Sequence, residues 1–462
     1  MNMRLYAPAA LVRSGWMRDV LLDIDANGLI ASVSHGRSRE ATESVAGPVI
    51  CGMPNVHSHA FQRALAGHTG PAAPEGADSF WTWRNAMYGF LDRIDAPAFE
   101  AIAAQAYVEM VKAGYTSVAE FHYVHRDPSG ERYEDSAELA WRVCDAARAT
   151  GINLTLLPVF YAHGGFGAAQ PAAGQRRFIH DLASFRDLFD ALRRRQPSRG
   201  YVLGVAPHSL RAVTPEELAE LVALAGEGAP IHLHAAEQLR EVDECVRWSG
   251  QRPVEWLLDH ASVGERWCLV HATHMTADET TRLARSGAVV GLASTTEADL
   301  GDGIFPADAY LRAGGRFGIG TDSNTIIDSF AELRQLEWSQ RLRLHRRNVL
   351  APADAPSLGA ALWSAAASGG AQAIAQPVGA IAEGRRADLV VLNIEDVALV
   401  QQTPERILDA AMFGPARAPV RDVMCAGRWV VRDGRHAREQ PVFEAFTATL
   451  ARLESIPGNV TP

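Results

Sequence analysis

Between residues 49 and 324 the chain alternates two kinds of stretch. One is a short apolar run that turns polar at its end. The other is longer, with apolar residues recurring at every third or fourth position. The short runs are "VICGMPNVHSHAF", "SVAEFHYVH", "NLTLLPVFYAHGG", "YVLGVAPHSLR", "PIHLHAAE", "WCLVHATHM", "AVVGLASTTE" and "RFGIGTDSN". Apolar runs of this length, rich in Val, Ile, Leu and Phe, predict β-strands. Segments such as "APAFEAIAAQAYVEMVKAG", "TPEELAELVALAGEG" and "TADETTRLARSG" predict the helices between them. Eight βα units over roughly 250 residues or more predict an α/β fold, a (β/α)8 barrel of the TIM type. The expected barrel spans residues 51–374. Polar residues gather at the C-terminal end of each strand, where such barrels carry their chemistry.

The two ends of the chain follow a different rhythm. Residues 1–50 read as short strands with turns, as in "VLLDIDANGLIASV", where Asn27-Gly28 signals a hairpin. Near the other end, "GAIAEGRRADLVVLNI" and "VRDVMCAGRWVVRDGR" again read as strands broken by glycine turns. Chain ends commonly lie close in space. The expectation is one small β-sandwich domain made from residues 1–50 and 375–462. Residues 355–382 carry no Asp, Glu, Lys or Arg, but Ser, Gln, Gly and Pro dilute them below what a spanning helix needs. They predict a small-residue helix in a core, ended near Gln376-Pro377.

Composition narrows the partners. The chain has 462 residues and a net charge of −10, with no long basic run. That argues against nucleic acid or an anionic membrane. Five cysteines, none in a C-x-x-C pair, fit a reducing compartment without a disulfide framework. The N-terminus shows no signal-peptide core, so a cytoplasmic location is expected.

Candidate chemistry sits at four strand ends. His57 and His59 are two residues apart, so on a strand both side chains point to one face. "HLHAAE" offers His232, His234 and Glu237, "LVHATH" offers His271, and "GTDSN" offers Asp322. A single buried histidine is most often a hydrogen-bonded core residue. Histidines and carboxylates at one end of strands one, five, six and eight point instead to a metal. A catalytic zinc commonly takes three protein ligands and keeps a position open for water, whose pKa drops to about 7.

On "PNVHSH", "HLHAAE", "LVHATH", "GIGTDSN" and the C-terminal "GAIAEGRRADLVVL", the chain resembles the amidohydrolase superfamily over essentially its whole length. The resemblance implies His57, His59, His234 and Asp322 as metal ligands. It also implies Glu237 as proton shuttle and His271 as partner, with Asp322, in activating water. His232 lies outside that set and is expected to be structural. Binuclear relatives bridge their metals with a lysine from strand four. This chain has a single lysine, Lys112, in the helix before strand two. One divalent ion per chain is therefore expected, zinc first and iron(II) as the alternative.

Further donors lie near these motifs: Gln62, Arg63, Arg84, Tyr123, His208 and Arg211. Converging arginines are costly unless a multiply charged anion meets them. Within the superfamily, "GMPNVHSHAFQRALAG", "FWTWRNAMYGF", "EFHYVHRDPSG", "HLHAAEQLREVDEC" and "STTEADLGDGIFP" resemble the formimidoylglutamate deiminase family. That resemblance implies Gln62, Arg84, Tyr123, His208 and Arg211 as the grip on a glutamate portion. It implies hydrolysis of N-formimidoyl-L-glutamate to N-formyl-L-glutamate and ammonia, with metal-activated hydroxide attacking the formimidoyl carbon. The expected partner is a small dianionic substrate, with no nucleic acid or membrane, and related enzymes are commonly homodimers. The alternative is a nucleobase or aminotriazine deaminase or hydrolase of the same mononuclear branch. A barrel turned to a purely structural role would lack the ligands that this chain retains.

Overall fold

The structure, a computed structural model, describes residues 3–67, 79–353, 355–415 and 417–455. The end of the expected terminal domain, residues 456–462, lies outside them. The barrel strands are β1 Met53–Ser58, β2 Tyr115–His122, β3 Asn153–Phe160, β4 in two short pieces (Val202–Leu203 and Ala206–Pro207), β5 Ile231–Ala235, β6 Trp267–His271, β7 Val289–Leu292 and β8 Arg316–Ile319. They pair in parallel in the order β4-β3-β2-β1-β8-β7-β6-β5. Parallel bridges Val205–Ile231 and Ser209–His234 join β4 to β5 and close the ring. Every residue of β1, β2, β5, β6 and β7 is buried, which is why these strands read as unbroken apolar runs rather than alternating ones.

Several helices begin where the sequence supplies caps. The Asp95 carboxylate accepts the Ala98 N–H at 3.0 Å and opens helix Ala96–Lys112. Thr214 and Glu217 form a capping box ahead of helix Pro215–Ala225. The uncharged segment folds as helix Leu358–Ala373, capped by Ser357 and ended before Gln376-Pro377. Its small residues permit close approach to the barrel. A Cβ on Gly369 would fall 2.0 Å from the Phe317 carbonyl oxygen. Among the described residues no helix is long and apolar enough to cross a membrane.

Both termini feed one nine-stranded sheet. It contains Met3–Val12, Gly15–Ile24 and Ile30–His35 from one end of the chain, and Leu389–Leu392, Val420–Cys425 and Arg428–Arg432 from the other. The strand Val49–Cys51 sits between the two groups, parallel to the first strand and antiparallel to Leu389–Leu392. The apolar run "VICGMPNV" thus serves two sheets instead of the single barrel strand its pattern suggests. The break is at Gly52, where a Cβ would lie 2.2 Å from the Thr116 side chain. This junction fixes the start of β1, and with it the position of the first two histidines.

Candidate active site

At the C-terminal mouth of the barrel, His57, His59 and His234 place one ring nitrogen each within 4.8 Å of one another. His57 Nε2 and His234 Nε2 are 3.1 Å apart. Asp322 Oδ1 lies 3.4 Å from His57 Nε2 and 3.3 Å from His59 Nε2. Two of the rings have their tautomer set from behind. His59 Nδ1 donates to the Phe121 carbonyl at 3.1 Å, and His234 Nδ1 donates to the His208 carbonyl at 3.0 Å. The Nε2 lone pairs of both therefore face the shared centre.

Electrostatics agree with that geometry. Burial lowers the pKa of His57, takes His59 down to about 3 and holds His234 well below its ordinary value. Burial also works against charge on Asp322, but the hydrogen bond from His57 and the neighbouring imidazoles outweigh it, so the carboxylate stays ionised. Neutral imidazoles with converging lone pairs beside an ionised carboxylate repel one another unless a cation sits among them. The donor set fits one divalent ion.

Beside this cluster, His271 Nε2 is 3.7 Å from Glu237 Oε1 and 3.9 Å from Asp322 Oδ2. Burial opposes charge on His271, but Glu237, Glu297 and Asp322 override it and push its pKa up to about 10. Burial raises the pKa of Glu237, against the pull of His271 and Arg211. His232 points elsewhere. Its Nε2 donates to the Ala373 carbonyl at 2.8 Å and ties β5 to the end of helix Leu358–Ala373.

The expected grip residues come together. Gln62, Arg84, Tyr123, His208 and Arg211 line one cavity with His59, His234, Glu237 and Asp322. Arg84 stands on helix Phe80–Leu91, its guanidinium 4.4 Å above the Trp81 ring. Arg211 follows β4 and lies 3.7 Å from Glu237 Oε2. Both arginines have a buried Nε without a hydrogen-bond partner among the described residues. Arg63, though adjacent in sequence, turns to Glu109 at 3.0 Å and does not line the cavity.

The family profile of amidohydrolases matches residues 49–430. The chain belongs to the amidohydrolase family. Among curated proteins, this amidohydrolase is 49% identical over 449 residues to formimidoylglutamate deiminase of Pseudomonas aeruginosa, covering 97% of this chain and 99% of that one. It is 29% identical to 5-methylthioadenosine/S-adenosylhomocysteine deaminase of Halobacterium salinarum, covering 90% and 88%. Among solved structures, an amidohydrolase from Brucella melitensis superposes with a TM-score of 0.93 at 45% identity, over 98% of this chain and 100% of that one. An adenosine deaminase from Xanthomonas campestris, solved with bound zinc, shares the fold with a TM-score of 0.79 at 21% identity, over 98% of both chains.

The structure adds residues that the strand-end motifs did not single out. Glu297 Oε1 meets His271 Nδ1 at 3.2 Å and also accepts the Ala293 N–H. Glu241 accepts the N–H groups of Ala236 and Glu237 at 3.1 and 3.0 Å, fixing the turn after β5. Asn55, Thr321 and Asn324 form a buried lattice between β1 and β8. Asn55 Nδ2 donates to Thr321 Oγ1 at 2.8 Å, and Asn324 Nδ2 donates to the His59 carbonyl at 2.9 Å. Ala236, His271, Asp322 and Asn324 all adopt left-handed backbone, at φ of 51°, 67°, 43° and 55°. Such conformations cost on the order of 1–3 kcal/mol each and cluster at functional sites. The lattice holds Asp322 and Asn324, Glu241 accepts the Ala236 N–H, and Glu297 meets the His271 ring.

Proposed function

We propose that this amidohydrolase hydrolyses the formimidoyl group of N-formimidoyl-L-glutamate, giving N-formyl-L-glutamate and ammonia. One observation carries the reading. The cavity has a metal-ligand cluster at one end and two arginines with unpartnered Nε donors, Arg84 and Arg211, on its wall. A substrate with two carboxylates and an –NH–CH=NH group matches both features. The resemblance to the Pseudomonas aeruginosa deiminase supports the same substrate.

His57, His59, His234 and Asp322 would hold the ion, which supplies Lewis-acid activation of water when bound. Zinc is our choice of ion, since three imidazoles and a carboxylate suit it, and iron(II) is the alternative. Glu237 takes a proton from the attacking water and passes it to the substrate nitrogen. Water adds to the formimidoyl carbon as its first proton reaches the terminal nitrogen. Glu237 then moves the remaining hydroxyl proton of the tetrahedral adduct to the same nitrogen, and the C–N bond breaks as the formyl C=O forms and ammonia leaves. His271 orients the water, and its own ring is aimed by Glu297. Arg84, Arg211, Tyr123, His208 and Gln62 hold the carboxylate-bearing portion. We also place the enzyme in the cytoplasm, a setting that suits its five free, buried cysteines.

The test is a coupled assay for ammonia, with N-formyl-L-glutamate identified as co-product. Guanine runs in parallel. Release from N-formimidoyl-L-glutamate alone supports the proposal. Preference for guanine would move the enzyme to the nucleobase deaminases.

A further inference from the structure

The arrangement that holds Tyr123 occurs twice in the cavity. Tyr123 directly follows the end of β2, and the Gln62 Nε2–H donates to its hydroxyl at 2.8 Å. Tyr161 directly follows the end of β3, and the Gln175 Nε2–H donates to its hydroxyl at 2.6 Å. Both tyrosines are buried and both line the cavity. An amide nitrogen can only donate, so each phenol oxygen accepts and keeps its own proton for another partner.

The orientation of Gln175 is fixed independently. Its Oε1 accepts the Ala172 N–H at 2.7 Å, so turning the amide over would set one N–H against another. The turn that carries it, Ala173–Gln175, sits tightly against the neighbouring Tyr88. A Cβ on Gly174 would fall 2.6 Å from the Tyr88 ring. The Tyr161 ring lies 4.5 Å from that of His208, and Tyr161 shares the cavity wall with Arg84 and Arg211. Among the described residues no hydrogen bond takes up the Tyr161 proton. A buried donor of this kind, in a cavity that two arginines also line, calls for an anionic acceptor.

We propose that Tyr161, aimed by Gln175, is a further specificity residue that donates to a carboxylate of the substrate. This rests on the dianionic substrate proposed above. The cavity then carries two strand-end tyrosines, each with its own glutamine, alongside the two arginines.

Metal-loaded wild type, Tyr161→Phe and Gln175→Met are titrated calorimetrically with N-formyl-L-glutamate, and assayed for ammonia release from N-formimidoyl-L-glutamate. Losing a hydrogen bond to a charged group should weaken Kd by about 10- to 100-fold in Tyr161→Phe. Gln175→Met keeps the bulk but frees the phenol, and should weaken Kd by roughly threefold. In both variants the kinetic loss should fall on KM more than on kcat, with metal content unchanged. Wild-type Kd in Tyr161→Phe, or no binding of the dianion by wild type, would overturn the inference. Binding with the expected contrast but no ammonia release in wild type would instead overturn the proposed reaction and leave this inference standing.

Discussion

The two ends of the cavity are built on different parts of the fold. The metal-ligand end sits on strand ends. Its histidines and Asp322 are fixed by the backbone bridges Ser58–Asp322 and Ser209–His234 and by hydrogen bonds between β1 and β8. The proposed carboxylate-binding set adds donors from connections to the strand-end Tyr123, Tyr161 and His208. Arg84 comes from helix Phe80–Leu91, Arg211 from the loop after β4, and Gln175, which aims Tyr161, from within the loop after β3. A buried arginine braces that side. Arg177 donates to the Leu91 carbonyl at 2.5 Å and to the Arg126 carbonyl at 2.9 Å, tying the helix to two loops. Reaction chemistry needs ligands fixed to fractions of an ångström, and strands provide that. Substrate choice needs only a reachable donor, and loops can supply it.

If this division holds, perturbing the strand-end cluster should abolish chemistry whatever the substrate. His57→Ala or His234→Ala should lose the metal, taking content well below about one equivalent per chain, and leave turnover at background. Elemental analysis checks it. A variant that kept a full equivalent would break the ligand assignment. Glu237→Gln should keep its metal yet lose on the order of 10²-fold or more in turnover. A metal-free or fully active variant would contradict the proton-shuttle role.

Smaller effects sharpen the same contrast. Glu297→Gln removes the carboxylate that aims His271, and should cost about 10- to 100-fold in turnover with the metal retained. Wild-type rates would show that His271 holds its orientation alone. Asn55→Ala strips acceptors from the His57 and Thr321 N–H groups, at 3.2 and 3.3 Å. Denaturant unfolding should register a loss of about 1–3 kcal/mol. No change would mean that the β1–β8 lattice relaxes freely. Least of all, His232→Leu should cost about 1 kcal/mol of stability, with metal content unchanged.

The same division decides what was legible in the sequence. His57 and His59 stand out because a strand has a period of two, and His234 and Asp322 because their motifs end apolar runs. The alternation of short apolar runs with helical segments also delivered the barrel. It did not reveal that Val49–Cys51 leaves for another sheet, because both sheets bury the same residue types. Arg84 and Arg211 have no periodic signature; they stood out only as donors near the metal motifs, and resemblance supplied their role. Gln175 had no signal at all. It lies in a Gly/Ala/Pro-rich loop, and its meeting with Tyr161 is set by how that loop folds back. Glu297 stood within a quoted segment, but its contact with His271 spans 26 residues of sequence.

One cavity joins the metal-ligand cluster to the proposed carboxylate grip. The most direct measurement compares kcat/KM for N-formimidoyl-L-glutamate and for the neutral amidine formamidine, in wild type, Arg84→Met and Arg211→Met. Removing a guanidinium partner from a buried carboxylate costs roughly 2–5 kcal/mol, or about 30- to several-thousand-fold in kcat/KM. That loss should fall on N-formimidoyl-L-glutamate and spare formamidine, which has no carboxylate to place. Equal losses on both substrates would mean that the arginines only brace the fold, and would contradict the account.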